Sequence, residues 1–258
     1  MNFTSRAFAL AGGLFAGLLL FQDIGRRIGR RRLAADPEGA RADAGAVEGA
    51  VFGLLGLLLA FSFSGAAARF DGRRQLVVEE ANAIGTAWLR LDLLPAESRA
   101  RAQGLFRQYL DSRLATYRKL PDTAAAMEEL ANSNRLQQKI WNEAVAGSGQ
   151  ESAPPTRMLL LPALNQMIDI TTTRTMATQM HPPGVIFAML FLLALAGSLL
   201  AGYGMASSTR RNWIHLLGFA VTLAIAVYII LDLEYPRLGL IRVDRFDQVL
   251  VDLRQSMQ

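Results

Sequence analysis

Four long stretches without charged residues, rich in apolar side chains, are separated by charged segments. They cover residues 7–21, 49–68, 184–208 and 212–231. A helix of about 20 residues crosses the roughly 30 Å hydrocarbon core of a bilayer, and the last three stretches reach that length. The first is shorter, but it extends to Phe3 and Ile24 if the Arg6 side chain reaches out to the interface. The pattern predicts an all-α, polytopic membrane protein with about four transmembrane helices.

The first stretch admits a second interpretation, a cleaved signal peptide. The segment after it, QDIGRRIGRRR at residues 22–32, contains no small-x-small site for a signal peptidase. This favours an uncleaved span. With the arginine-rich loop that follows, it forms a first region, 1–46, and the rest of the chain forms a second region, 47–258.

The second stretch passes into a charged segment without a turn. Beyond Arg69, the apolar residues Val77, Ile84, Trp88 and Leu91 recur at helical spacing, which is typical of an amphipathic helix. Proline disfavours helix in the residue before it, so the helix should end near residue 94. We therefore expect one long helix over residues 49–94, half in lipid and half in water.

Residues 71–181, between spans two and three, are predicted to form extramembrane helices. One begins at Pro95, and a second begins after Asp122, a plausible N-cap. Residues 147–156 have the composition of a turn-rich linker. A further helix leads back to the membrane, and residues 232–258 form a C-terminal tail after the fourth span.

The composition narrows the functional class. Of 258 residues, 52% are hydrophobic and 19% are charged, with a net charge of +5. The basic residues do not form a face interleaved with aromatics, so we expect no nucleic-acid partner. No cysteine is present, which rules out disulfides and thiolate metal ligands. Motifs for hydrolases, metalloproteases and nucleotide binding are missing, so we predict no catalytic residues, no metal site, no cofactor and no enzyme activity.

Two segments resemble the bestrophin-like family of bacterial membrane proteins. They are RFDGRRQLVVEEANAIGTAWLRLDLLP, residues 69–95, and IILDLEYPRLGLIRVD, residues 229–244. Bestrophins carry an acidic-x-Glu-x-Pro segment after their last span, and Asp232, Glu234 and Pro236 are similar to it. The resemblance covers the chain from about residue 47 to its end. It implies an α-helical protein with four spans, distantly related to pentameric anion channels, and hence a homo-oligomer that passes chloride or other small anions.

Arginines near the spans predict the orientation in a bacterial inner membrane. Six follow span one and two lie between spans three and four: Arg26, Arg27, Arg30, Arg31, Arg32, Arg41, Arg210 and Arg211. Basic loops stay in the cytoplasm, which places the extramembrane helices in the periplasm, opposite to bestrophins. Arginines in the C-terminal tail weigh against this orientation: Arg237, Arg242, Arg245 and Arg254.

Span two carries a stripe of small residues along one face. Gly49, Gly53, Gly56, Ala60 and Ser64 lie within about 80° of one another at 100° per residue, which lets neighbouring helices approach closely. The bulky residues Phe52, Leu59 and Phe63 lie along one edge of the stripe. They are candidates for an apolar pore constriction formed by several copies. Ordinary packing within one subunit, or against lipid, is the alternative.

Ionisable residues are missing from the span interiors, and Glu48 stands at the mouth of span two. Ion-coupled carriers bury such groups, so their absence favours a passive channel over a coupled transporter. Glu79, Glu80 and Asn82 suit either a cation site or a solvated face paired with Arg73 and Arg74. Asp232 and Glu234 suit an anchor for span four better than a calcium site. The histidines, His181 and His215, have no partner at helical spacing.

The sequence thus favours a homo-oligomeric, passive anion channel that is lined by span two and embedded in lipid. The alternative is a non-conducting membrane scaffold or sensor whose extramembrane helices bind a protein partner.

Overall fold

The computed structural model describes residues 3–35, 44–150, 154–208 and 211–257. The described residues form eight α-helices and no strand. In chain order the helices are α1 (Phe3–Ala35), α2 (Ala44–Arg90), α3 (Ala96–Arg118), α4 (Thr123–Gln150), α5 (Pro154–Ala177), α6 (Gly184–Gly204), α7 (Trp213–Glu234) and α8 (Gln248–Ser256). Four of them, α1, α2, α6 and α7, are long and apolar enough to cross a membrane. The predicted all-α membrane fold is confirmed.

The long helix α2 is continuous across the change from apolar to charged residues. It ends at Arg90, and a 3-10 turn, Leu91–Leu93, continues the chain to Leu94. Leu94 is extended, with ψ of 153°, as expected for the residue before Pro95. The α-helix therefore covers residues 44–90 rather than the predicted 49–94. It begins five residues earlier, and it ends four residues earlier because the residue before proline is extended and a 3-10 turn replaces the last α-helical turn.

Two predicted loops are helical instead. The arginines from Arg26 to Arg32 belong to α1, which continues to Ala35, whereas Arg41 and Arg210 lie outside the described residues. The predicted linker 147–156 is also helical at both ends. Gly147 lies in α4 because it packs closely on α3: a Cβ added there would come within 2.6 Å of the Ser98 Cβ. Pro154 begins α5, where proline is tolerated.

The chain folds as two compact units. The first comprises residues 1–69 and 181–235, and the second comprises 70–180 and 236–258. Helix α2 supplies its apolar half to the first unit and its amphipathic half to the second.

In the first unit, α1 packs along α6 and α7. The crossing of α1 and α6 is close enough to need glycine: a Cβ added to Gly25 would overlap the backbone oxygen of Leu199, and one added to Gly202 would overlap that of Gln22. The Ser198 hydroxyl donates to the Leu18 carbonyl at 2.6 Å across the same pair of helices. Small residues thus bring two helix backbones into contact, as is common in membranes.

The second unit is a helical bundle around an apolar core. Its fully buried side chains come from α2, α3, α4, α5 and α8: Ile84, Phe106, Leu110, Ile140, Leu164, Met167 and Leu250. The predicted N-cap of α4 is present, since the Asp122 carboxylate accepts a hydrogen bond from the Ala125 N–H at 3.0 Å.

Candidate functional site

A broad face of α2 in the first unit is left uncovered by the rest of the described chain. In its most apolar stretch 11% of residues are buried, against 22%, 22% and 33% for the other three membrane helices. A Cβ added to Gly49, Gly53 or Gly56 would meet no atom within 4 Å, and Ala60 and Ser64 are exposed. The whole predicted small-residue stripe therefore lies on the open side of the helix.

Bulky residues that the sequence reasoning did not single out share this face. Leu54 is 45% exposed, Leu57 52% and Phe61 66%. At 100° per residue, Leu57 lies about 80° and Phe61 about 120° from Gly49 around the helix. In the sequence, the angular position of these residues relative to the glycine stripe was the feature that could have indicated them.

The three residues predicted for the constriction have different surroundings in the structure. The Phe52 ring packs inside the subunit, against Gly197 of α6 and 6.0 Å from the Phe219 ring of α7. Leu59 is half-buried, and Phe63 is 49% exposed at the edge of the open face. Of the three, Phe63 has the greatest freedom to contact something outside its own chain.

The acidic residues of the motif at the end of α7 are buried rather than solvated. Glu234 is 1% exposed, and both of its oxygens accept from the Arg69 Nε, at 2.9 and 3.1 Å, while the Arg69 Nη2 donates to Oε1 as well. The His181 Nδ1 lies 3.4 Å from Glu234 Oε2, and its ring stacks on Tyr235 at 4.4 Å. Glu234 is 53 residues from His181 in sequence and becomes its neighbour only in the fold, so helical spacing could not indicate this contact.

The other two members of the motif have separate roles. Asp232 is fully buried and accepts from the Tyr228 hydroxyl at 3.3 Å, one turn earlier in α7. The Pro236 carbonyl accepts from the Val243 N–H at 3.0 Å and holds the turn that follows. These contacts are those of an anchor at the end of α7, the role that the sequence favoured over calcium binding.

A third buried carboxylate, Glu80, lies in the core of the second unit. It is 0% exposed and pairs with two arginines: the Arg113 Nε donates to its Oε1 at 2.6 Å, and the Arg174 Nη1 donates to its Oε2. The expected pairing with Arg73 or Arg74 on the same helix is wrong, because Glu80 faces the bundle core. Burial alone would raise the pKa of Glu80, but the two positive charges and their hydrogen bonds lower it overall. The carboxylate therefore stays ionised.

The same charge cluster binds the C-terminal segment. The Arg174 Nη2 donates to Asp247 Oδ1 at 2.9 Å, and Arg237 donates to both oxygens of Asp247, at 2.7 and 2.8 Å. The Tyr117 ring lies below the guanidinium carbons of Arg174, at 3.9 Å, and Arg237, at 4.3 Å. The cluster joins α2, α3, α5 and the tail, so its role is to stabilise the second unit.

The arginines just past the apolar half of α2 are each engaged locally. Arg69 pairs with Glu234, Arg73 is buried and donates to the Ala177 and Met180 carbonyls at the end of α5, and Arg74 pairs with Asp71 at 2.9 Å. Each of these three side chains is therefore committed to acceptors within its own unit.

The remaining candidates are dispersed. Glu79 and Asn82 are exposed on α2, and Glu79 accepts from Gln75 at 3.0 Å. Glu48 lies beside Gly204 at the end of α6, and His215 is exposed in the first turn of α7. Within the described ranges, no group of three or more His, Asp or Glu side chains is placed to hold a metal ion.

A membrane-embedded helical bundle with one uncovered helix, joined to a second helical bundle, defines the class of this protein. The model of the Bestrophin-like domain matches residues 14–246, and the chain belongs to that family. Among curated proteins, nothing matches this chain.

Solved structures show the same fold. A bacterial Bestrophin homolog from Klebsiella pneumoniae, in a form with one substitution, superposes with a TM-score of 0.70 at 15% identity, covering 94% of this chain and 98% of its own. A second substituted form of it gives 0.68 at 16% identity, covering 93% and 97%. A structure described as a membrane protein gives 0.63 at 16%, covering 93% and 98%. At these identities, the likeness establishes the fold.

Proposed function

We propose that the protein is a homo-oligomeric, passive anion channel in which copies of α2 surround the ion path. The observation that carries the proposal is the uncovered face of α2, with its stripe of three glycines, Ala60 and Ser64. Lipid does not drive helices together by hydrophobicity, so membrane helices associate where small residues allow close contact. A small-residue face left open in one chain suits contact with another copy.

In this arrangement, Leu59 and Phe63 narrow the path. Both lie on the edge of the small-residue stripe, and an apolar ring of such side chains gates by excluding water. Phe52 has a different role in the proposal: its ring, held against α6 and α7, supports the helix from behind.

The ion class rests on family membership, since bestrophins proper are anion channels. The described spans hold no ionisable residue that a coupled carrier would use in its apolar interior, which supports passive flow. We further propose an inner-membrane location with the helices of the second unit in the periplasm. The support is the arginine-rich end of α1 and Arg211, because basic segments stay in the cytoplasm.

The proposal predicts that widening the constriction raises flux. The protein is reconstituted into liposomes, and chloride efflux is followed for the wild type, Leu59→Ala and Phe63→Ala. Both variants should pass chloride faster than the wild type, because removing either side chain opens the apolar ring and lowers the barrier to water and ions.

Leu20→Ala is the matched control, since Leu20 is 58% exposed on α1, away from the proposed path. Its flux should equal that of the wild type. Efflux at the level of empty liposomes for the wild type and both constriction variants would reject the channel.

A protein-binding scaffold is the second candidate. In the second unit, Leu89 is 70% exposed and Met158 is 76% exposed. Exposed apolar side chains of this size suit a partner surface. A crosslinked partner that is lost in Leu89→Asp, in a protein without ion flux, would support the scaffold instead.

A further inference from the structure

The end of α1 and the start of α7 form a basic surface in the first unit, here named the arginine patch. It consists of Arg27, Arg30, Arg31, Arg32 and Arg211, all of them exposed. Asp23 is the nearby acid, and it pairs with Arg27 at 2.7 Å and with Arg211. In the described part of the chain, Arg30, Arg31 and Arg32 pair with no carboxylate. Arginine stays in excess when the neighbouring sequence is counted in full: residues 23–43 with Arg210 and Arg211 hold eight arginines against the four acids Asp23, Asp36, Glu38 and Asp43.

The apolar surface of α7 shows where the membrane boundary lies. Ile214 is 83% exposed, and Leu217, Val221 and Ile225 continue an exposed stripe along one face. Trp213, 54% exposed, stands at its start, the position that tryptophan favours at a membrane interface. Arg211 comes directly before it, with its guanidinium carbon 5.3 Å from the Trp213 ring. The lipid-facing surface thus begins at Trp213, and Arg211 lies at the boundary.

Asp23 of α1 forms an ion pair with Arg211, so it lies at the same depth in the membrane, at the boundary. At 1.5 Å per residue, Arg27 lies about 6 Å and Arg31 about 12 Å beyond Asp23 along the helix. The polar layer of one leaflet is about 5–8 Å thick. Arginine side chains reach back toward lipid, so Arg27, Arg30 and Arg31 place their guanidinium groups at the depth of the headgroups.

The patch is held in a fixed position by the contact behind it. Gly29 packs on α6, where an added Cβ would come within 2.6 Å of the Ala206 Cβ. The buried Arg26 donates to the Ser208 carbonyl at 2.8 Å. Arg27 and Arg31 each lie about 160° around α1 from Gly29, whereas Arg30 lies about 100° from it and its Nη2 is 3.5 Å from the Ser208 carbonyl. Helix α1 therefore presents the guanidinium groups of Arg27 and Arg31 outward, with the exposed Arg30 beside them.

We propose that the arginine patch binds the phosphate-bearing headgroups of anionic phospholipids. Guanidinium groups form bidentate hydrogen bonds with phosphate, and an anionic leaflet attracts each nearby arginine. The depth of the patch favours a lipid over a nucleic acid or a soluble protein. This site is separate from α2, and its occupancy does not depend on ion conduction.

Lipid-dependent quenching of tryptophan fluorescence tests the site. The full chain is reconstituted with phosphatidylcholine mixed with brominated phosphatidylglycerol or brominated phosphatidylcholine. Trp213 faces lipid, and bromine on a bound acyl chain quenches it. The wild type should prefer phosphatidylglycerol by about fivefold or more, and the preference should weaken as salt rises from about 0.05 to 0.5 M. The triple variant Arg27→Gln, Arg30→Gln, Arg31→Gln should lose it.

A matched triple variant removes the same charge from exposed positions of the second unit: Arg118→Gln, Arg135→Gln, Arg245→Gln. It should keep the preference, and circular dichroism should show unchanged helix content in both variants. Equal quenching by the two lipids in the wild type, or equal loss in both triple variants, would overturn the proposal. Loss of the preference on addition of inorganic phosphate at constant ionic strength would identify free phosphate as the ligand and reject the lipid.

Discussion

Glu79 and Glu80 are adjacent in sequence, yet they lie in opposite environments. Glu79 is exposed and accepts from Gln75, whereas Glu80 is fully buried between Arg113 and Arg174. Adjacent residues of a helix point about 100° apart, which is enough to place one in water and the next in a core. A buried ion pair adds little net stability, but breaking it leaves an uncompensated charge in the interior.

Glu80→Gln should therefore destabilise the protein by about 3–5 kcal/mol, because both arginines lose their carboxylate while they remain buried. Glu79→Gln is the control, and it should change the free energy of unfolding by less than about 0.5 kcal/mol. Chemical unfolding in detergent, followed by circular dichroism, measures both. Similar losses for the two variants would contradict the assignment of Glu80 to the core.

The sequence could not reveal the partners of Glu80 or of His181. The Glu80 partners are 33 and 94 residues away, and His181 is 53 residues from Glu234. The sequence suggested Arg73 and Arg74 because they are basic residues nearby on the same helix, but they are seven and six residues from Glu80, not the three or four that separate neighbours on a helix. The Asp122 cap was predictable because its partner, Ala125, lies within one turn.

At the scale of helices, the sequence predicted each membrane span but not how the spans pack. Apolar stretches of 20 residues identify a span because the bilayer thickness fixes the length. The glycines of α1 look alike in sequence, yet Gly12 has no atom within 4 Å of an added Cβ, while one on Gly25 would overlap the backbone of α6. Only the crossing of two helices distinguishes them.

Gly25→Ala and Gly12→Ala should therefore differ in their effect on the stability of the fold. The first forces α1 and α6 apart, because a backbone oxygen cannot move aside as a side chain can, and we expect a loss of about 1–3 kcal/mol. The second meets no atom and removes a flexible glycine from a helix, so it should be neutral or slightly stabilising. Thermal unfolding in one detergent compares them, and a stable Gly25→Ala protein would argue against the close crossing.

At the scale of the whole chain, the two units bury their apolar residues in different ways. The second unit encloses a core of residues such as Phe106 and Leu164, both fully buried. The membrane helices leave large side chains exposed, among them Leu20, Phe61 and Ile214, as expected where lipid or another subunit replaces water. Sequence periodicity predicted both regions, but it could not tell a lipid-facing surface from one that meets a second copy, because both are apolar.

Substituting a glycine on α1 and one on α2 distinguishes a surface that faces lipid from a surface that contacts a second copy. Gly53→Leu adds a bulky side chain to the open face of α2, where nothing in its own chain is within 4 Å. The folded subunit has room for it, but close contact between copies does not, so we expect helix content to stay unchanged and the oligomer to dissociate. Gly12→Leu adds the same side chain to a position on α1 that also has no atom of its own chain within 4 Å and that the proposal does not place between copies, so it should leave the assembly intact. Molar mass in detergent, from light scattering with size-exclusion chromatography, measures both variants. A wild type that is monomeric, or a Gly53→Leu protein with the wild-type mass, would mean that this face of α2 contacts lipid, and the ion path would then have to lie elsewhere.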